Sequence, residues 1–345
     1  MRAVVVHKPG DIRWETVPDP ELPEDWVRVE IKAVGICSSD VPRALHGAAY
    51  HYPIVLGHEI SGVVKEVGER ISQNWLQRRV AVAPLIPCEW CEWCRQGRYS
   101  LCDDYDYLGS RRDGGCAEMV IAPSSNLIEL AENISFDAAA LMEPTSVVVH
   151  ALRDRVNPGD EVLVIGAGPI GLLASRLATL LGAKRVIVLD RFEHRLTVAE
   201  AMGAEALAVD PVSSLESRVT HALGGRRPDM VVIATGSSAA QGTALRLARR
   251  GGRILCVGVP HEQVSFPAET YERLVRHELR VMGFWNSYSS PFPGAAWEAA
   301  RSYISSGRLD PDPLISERVP LEQAETAYRR LDQDPGSQVK VLLTQ

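Results

Sequence analysis

Four cysteines fall within fifteen residues, Cys88-x2-Cys91-x2-Cys94-x7-Cys102. Thiolates at that spacing suit one tetrahedral zinc, a closed site that fixes a loop and does no chemistry of its own. A bacterial ferredoxin-type cluster ends its run with C-x3-C-P, whereas here the last gap is seven residues and Asp103 follows Cys102. Thiolate ligation contributes directly to folding, so chelation is expected to loosen this lobe, residues 84–105. A second set, Cys37, His58 and Glu143, has the donor types of an open metal site. Each alone is bland, a core thiol or a satisfied polar pair, and spacing does not show that they converge.

The third constellation is Gly166-Ala167-Gly168-Pro169-Ile170-Gly171, between the apolar run Val162–Ile165 and a helical pattern over Ile170–Leu181. In a dinucleotide-binding turn the first glycine makes the bend and the second lets backbone approach the pyrophosphate. The third permits close helix–strand packing, and the helix amides face the phosphates. Asp190 ends the next apolar run, Val186–Leu189, where its carboxylate suits the ribose hydroxyls and repels a 2′-phosphate. NAD is thus favoured over NADP, although Arg191 directly after it could receive such a phosphate. Arg195 completes the cofactor set with Gly166, Gly168, Pro169, Ile170, Gly171 and Asp190.

The elements that must position these residues change character along the chain. The first 150 residues read as strand and loop, with β-branched runs at Val4–Val6, Val27–Ala33 and Ile60–Val67 separated by Pro, Gly and Asp. From Asn157 onward short apolar runs (Val162–Ile165, Val186–Leu189, Ala206–Val209, Met230–Ala234, Ile254–Val257, Leu279–Met282) alternate with helical patterns such as Ile170–Leu181 and Glu193–Met202. That alternation predicts an α/β, doubly wound parallel sheet of six strands. After Gly283 it stops, and the remaining residues are too few for a further domain, so they are expected to return to the first. The expected organisation is 1–152 with 286–345, and 153–285.

With 345 residues, a formal charge of −7 and a pI near 5.8, the chain lacks the basic balance of a nucleic-acid binder. No apolar stretch approaches the roughly 18 residues of a membrane span, and no signal peptide is evident. Seven cysteines without a secretory signal suit a reducing compartment, the cytoplasm, with Cys116 and Cys256 expected as small buried hydrophobes.

Taken together these residues resemble the zinc-dependent medium-chain dehydrogenase/reductase family over essentially the whole chain, and within it the polyol and sugar-alcohol branch. The stretches carrying the closer likeness are Tyr50–Pro53, Gly57–Glu59, Leu108–Gly115 and Asn286–Gly294. The resemblance implies a GroES-like β-rich catalytic domain beside a Rossmann domain. It also implies two zincs per chain, and a hydride exchanged between NAD and a secondary alcohol. Cys37, His58 and Glu143 would bind the catalytic zinc, with Glu59 as an exchangeable or neighbouring carboxylate. The zinc would polarise the substrate hydroxyl and lower its pKa. Ser39 stands at the proton-relay position, but Pro42 replaces the histidine that often follows, so the proton must leave another way.

Arg111 and Arg112, before the turn Asp113-Gly114-Gly115, are either solvated loop charges or a clamp for a substrate phosphate, which a guanidinium fork suits. Tyr50, His51, Trp285 and Asn286 are further pocket candidates. Alternatives are an unphosphorylated polyol, a cyclitol or amino-sugar alcohol, or a catalytically silent dinucleotide-binding member. Relatives imply a homodimer or homotetramer, with Leu279–Met282 as a candidate interface strand.

Overall fold

The computed structural model describes residues 1–209, 215–260 and 262–345. Contacts divide the chain into two compact units, Met1–Ser146 with Ser287–Gln345, and Val147–Asn286. The first division falls inside the helix Met142–Leu152 rather than at its end.

The second unit contains a six-stranded, wholly parallel sheet. Its order is Glu205–Ala208, Arg185–Asp190, Glu161–Ile165, Met230–Ile233, Arg253–Cys256, Arg280–Gly283. The strand that comes first in the chain, Glu161–Ile165, is buried throughout and lies in the middle. The strand order therefore reverses beside it, and that reversal opens the crevice where such sheets bind ligands. Leu163, Ile187, Val231 and Ile254 from adjacent strands pack with Ala244 and Leu247 of the helix Ala239–Leu247. Continuous Val/Ile/Leu runs are what a strand covered on both faces requires.

The first unit is built on the ten-residue strand Trp26–Gly35, whose buried Val27, Val29 and Ile31 alternate into one core. Past an irregularity at Ile31/Ala33, Val34 joins that core and Ala33 packs with Ala140 and Leu342. It pairs antiparallel with Met119–Pro123 at its start, Glu59–Val67 along its length and Lys340–Thr344 at its end. The last of these comes from the far end of the sequence, and Val341 and Leu343 join the same core as Val29 and Ile31. Register sets Gly35 opposite both Glu59 and Leu342. Cys37, His58, Glu59 and Lys340 are thereby carried to one end of the sheet. Among the described residues no helix is long and apolar enough to cross a membrane.

Candidate active and metal sites

The four lobe cysteines converge. One Sγ from each of Cys88, Cys91, Cys94 and Cys102 lies within 4.8 Å of the others, with Cys88 and Cys94 3.9 Å apart. A tetrahedron of thiolates about 2.3 Å from zinc has edges of about 3.8 Å, so the donor set fits the ion in chemistry and spacing. None of the seven cysteines is in a disulfide. Local structure places the ligands: Cys91 caps the short helix Glu92–Arg95, and Cys102 follows the turn Tyr99–Leu101. Among the described residues the hydrophobic neighbours packed around them are Trp93, Tyr99 and Tyr105, a core too small to hold the loop alone. Burial pushes the Cys94 and Cys102 thiols up, whereas a backbone hydrogen bond from Asp103 helps bring Cys91 down to about 6. Cys116 is buried as expected, but Cys256 is only partly so.

At the second centre the structure gathers Cys37, His58 and Glu59, one donor atom each within 4.8 Å. Of the expected donors Cys37, His58, Glu59 and Glu143, the last is not in that group. The Tyr107 hydroxyl donates to Glu143 Oε1 at 3.2 Å, and burial pushes the Glu143 carboxyl up to about 7. Glu143 is nonetheless a neighbour of the centre, felt electrostatically with His58 and Glu59. Thiolate, imidazole and carboxylate are a donor set suited to a reactive zinc.

Local packing explains the geometry. A Cβ on Gly35 would sit 1.9 Å from Glu59 Oε2, so only glycine lets that carboxylate cross the neighbouring strand. Gly57 has φ of +95°, which turns the chain into His58. Asp40, fully buried, accepts the Cys37 amide at 3.1 Å and an Arg43 guanidinium hydrogen at 3.2 Å. It also stands 3.4 Å from His58 Nδ1, at ion-pair distance but without hydrogen-bond geometry. A carboxylate at that distance favours the charged imidazole electrostatically. Although burial opposes a charged imidazole, Asp40 and Cys37 outweigh it and hold the His58 pKa well above the ordinary value.

Lys340 is the residue that sequence reasoning missed. Its ammonium donates to both Glu59 oxygens, at 2.6 and 2.7 Å, and to Ile36 O at 3.0 Å, with both side chains 2% exposed. A lone lysine inside Val339-Lys340-Val341-Leu342-Leu343 was the available signal. Tyr107 also went unnoticed; its ring meets His58 edge-on at 5.8 Å and Tyr105 at 6.2 Å.

The two arginines separate. Arg112 donates to Asp106 at 2.7 Å and covers the Trp26 ring, so its fork is already engaged. Arg111 is stacked between Tyr50 and Tyr105, 4.7 and 4.2 Å from the ring centres, and gives one hydrogen bond to Tyr105 O. Its Nε is buried without a partner. His51 ties this loop down, its ring nitrogens 3.2 Å from Pro53 O and 3.1 Å from Arg111 O. Tyr50, Tyr105 and Arg111 line a cavity of about 490 Å³ with Asp104 and Asp106.

In the second unit, Gly168 caps the helix Pro169–Leu180, with Pro169 at its first position. A Cβ on Gly171 would fall 1.7 Å from Gly166 O, whereas one on Gly168 would meet nothing within 4 Å. The third glycine is thus required by packing, and the second faces open space. Asp190 receives the Ala167 amide at 2.7 Å and the Phe192 amide at 2.9 Å. Two carboxylate oxygens offer about four acceptor positions, so capacity remains for hydroxyls. Arg191 and Arg195 both stack on Phe192. Trp285 is half exposed, while Asn286 is buried with φ of 51°; both belong to this unit.

Residues 23–132 match the alcohol dehydrogenase GroES-like domain, and residues 169–302 match the zinc-binding dehydrogenase domain. Galactitol 1-phosphate 5-dehydrogenase of Escherichia coli K12 is 35% identical over 99% of each chain. The chain belongs to the zinc-dependent medium-chain dehydrogenase family. The crystal structure of galactitol-1-phosphate dehydrogenase from Escherichia coli superposes with a TM-score of 0.94 at 34% identity, covering 100% of both chains. Sorbitol dehydrogenase of Bacillus subtilis is 32% identical over 99% of this chain and 97% of its own. An alcohol dehydrogenase from Escherichia coli CFT073, complexed with NADH, gives a TM-score of 0.90 at 28% identity, covering 100% of this chain and 99% of its own. This member is therefore a zinc-dependent alcohol or polyol dehydrogenase that uses a nicotinamide cofactor.

Proposed function

We propose that the protein reversibly oxidises a secondary alcohol of a phosphorylated sugar alcohol to the ketose phosphate, with NAD as hydride acceptor. The observation that carries this is the convergence of Cys37, His58 and Glu59 at one end of the sheet. These three residues would hold the reactive zinc with Glu143 beside them, while Cys88, Cys91, Cys94 and Cys102 hold a structural one. The reactive ion supplies Lewis acidity to the substrate hydroxyl. Around it the chain's own groups orient the donors: Asp40 steadies His58, Lys340 holds Glu59, and Tyr107 holds Glu143.

Arg111 is the phosphate clamp of this reading. Stacking between two tyrosines presents the guanidinium plane with little entropy left to lose on binding. The galactitol 1-phosphate relative supports such a substrate. A second reading, an amino-sugar alcohol, draws on Asp104 and Asp106 in the same cavity, although Arg112 already neutralises Asp106. NAD is favoured by Asp190 at the end of the second strand. The free thiols suit the cytoplasm, and Val281, 47% exposed on the sheet's edge strand, suits pairing with a second copy.

The test is a panel of galactitol 1-phosphate, galactitol, sorbitol and an amino-sugar alcohol, read by NADH absorbance before and after Arg111→Ala. The phosphate ester is expected to be preferred, and the substitution to cut that preference about tenfold to a hundredfold, the size of one charge-assisted hydrogen bond. Equal use of galactitol and its phosphate, unchanged by Arg111→Ala, refutes the clamp. Preference for the amino-sugar alcohol establishes the second reading instead.

A further inference from the structure

Ser39 stands at the N-cap of the helix Asp40–Leu45, a position where a serine hydroxyl ordinarily accepts an amide hydrogen of the first turn. Here it makes no capping bond. Its oxygen instead accepts from Arg43 Nη1 at 3.0 Å, and its own hydrogen goes to Cys37 Sγ at 3.3 Å. The arginine lies four residues along the same helix and so sits above the serine. It is held on both flanks: Asp40 accepts from the same nitrogen, and the Tyr52 hydroxyl donates to the Arg43 carbonyl at 2.6 Å.

We propose that Arg43 is a positioning residue that fixes the Ser39 hydroxyl as a hydrogen-bond donor toward the Cys37 centre and closes Ser39 as a proton conduit. A hydroxyl has one hydrogen and two acceptor lone pairs. A relay requires it to accept a proton on one side while donating its own to an acceptor on the other. Arg43 takes one lone pair with a donor that stays protonated and accepts nothing, and the hydrogen is directed at Cys37 Sγ, so neither of these two bonds leads to an onward acceptor. The Ser39 hydrogen is left pointing at the thiolate and at any substrate oxygen bound beside it, where it stabilises developing negative charge. This also accounts for Pro42: with no proton arriving from Ser39, a base at that position has nothing to receive. The inference rests on the zinc-dehydrogenase reading above.

Cobalt substitution tests it without substrate. The thiolate-to-cobalt absorption that disappears in Cys37→Ser belongs to this centre, and a hydrogen bond to that sulfur shifts its energy. Arg43→Leu and Ser39→Ala are expected to shift the band in the same direction, and Arg43→Lys, which keeps a cationic donor, to restore it. With galactitol 1-phosphate and NAD, Arg43→Leu is expected to lower kcat at least about tenfold with KM little changed, as for loss of one charged hydrogen bond in the transition state. The same substitution in a Ser39→Ala background should cost far less than in the parent, the remainder reflecting the Arg43–Asp40 contact. A band unmoved by Arg43→Leu, or an equal loss of kcat with and without Ser39, overturns the inference alone. Absence of any Cys37-dependent band in the unmodified protein overturns the metal centre and this inference together.

Discussion

Replacing Lys340 by methionine should be among the most destabilising single changes outside the metal ligands themselves. The ammonium makes three hydrogen bonds, at 2.6, 2.7 and 3.0 Å, and its partner Glu59 is itself only 1% exposed. Methionine fills similar volume, so the loss is electrostatic, not a cavity. It leaves a buried carboxylate without its cation, and removing one partner of such a pair costs about 3–5 kcal/mol. Replacing both, Lys340→Met with Glu59→Met, removes the stranded charge and should recover most of that loss, since apolar groups of like volume often equal a buried pair. The assay is urea unfolding of the chelated protein, followed by a probe in the first unit, for the parent, both single variants and the double.

Burial opposes the Lys340 charge, but Glu59 outweighs it and raises the pKa above the ordinary lysine value of 10.5. A raised cation contributes fully below its unfolded pKa and loses that contribution as pH climbs through the folded one. The gap between parent and Lys340→Met should therefore shrink above about pH 10.5, as the parent's lysine begins to lose its charge. A single variant within about 1 kcal/mol of the parent, or a double variant no better than the single, refutes the reasoning.

Chelation should release the lobe holding Cys88 to Cys102 before the sheets, because little else packs there; proteolysis with and without chelator reads the order, and simultaneous loss of both units would contradict it. Gly171→Ala forces a Cβ to 1.7 Å from Gly166 O and should weaken NADH binding more than tenfold by fluorescence titration. Gly168→Ala has room in the free protein, so its melting point should stay near that of the parent while NADH binding falls; equal effects of both substitutions on stability would count against this division of roles. Val281→Lys puts a charge on the exposed edge strand and should convert an oligomer to smaller species in light scattering, as edge lysines do. An unchanged mass would move the interface elsewhere.

Much of this protein was legible in its residue order, wherever the chemistry is local. Four thiols within one loop need no distant partner to converge, and the glycine turn needs only the strand and helix beside it. The six parallel strands announce themselves because each is a short apolar run bounded by helical periodicity, and their observed limits differ by a residue or so. Tertiary structure decided what depends on register. Glu59 joins Cys37 and His58 because Gly35 lies opposite it in the sheet, while Glu143, on the helix Met142–Leu152, accepts from Tyr107. Lys340 reaches Glu59 because the last strand pairs beside Gly35, a contact spanning nearly the whole chain that no short window of sequence contains. Arg111 and Arg112 look alike in order, yet backbone direction gives one two tyrosine faces and the other an aspartate. Where the chain turns, neighbouring side chains leave the backbone in different directions, and only the folded chain says what waits on each side.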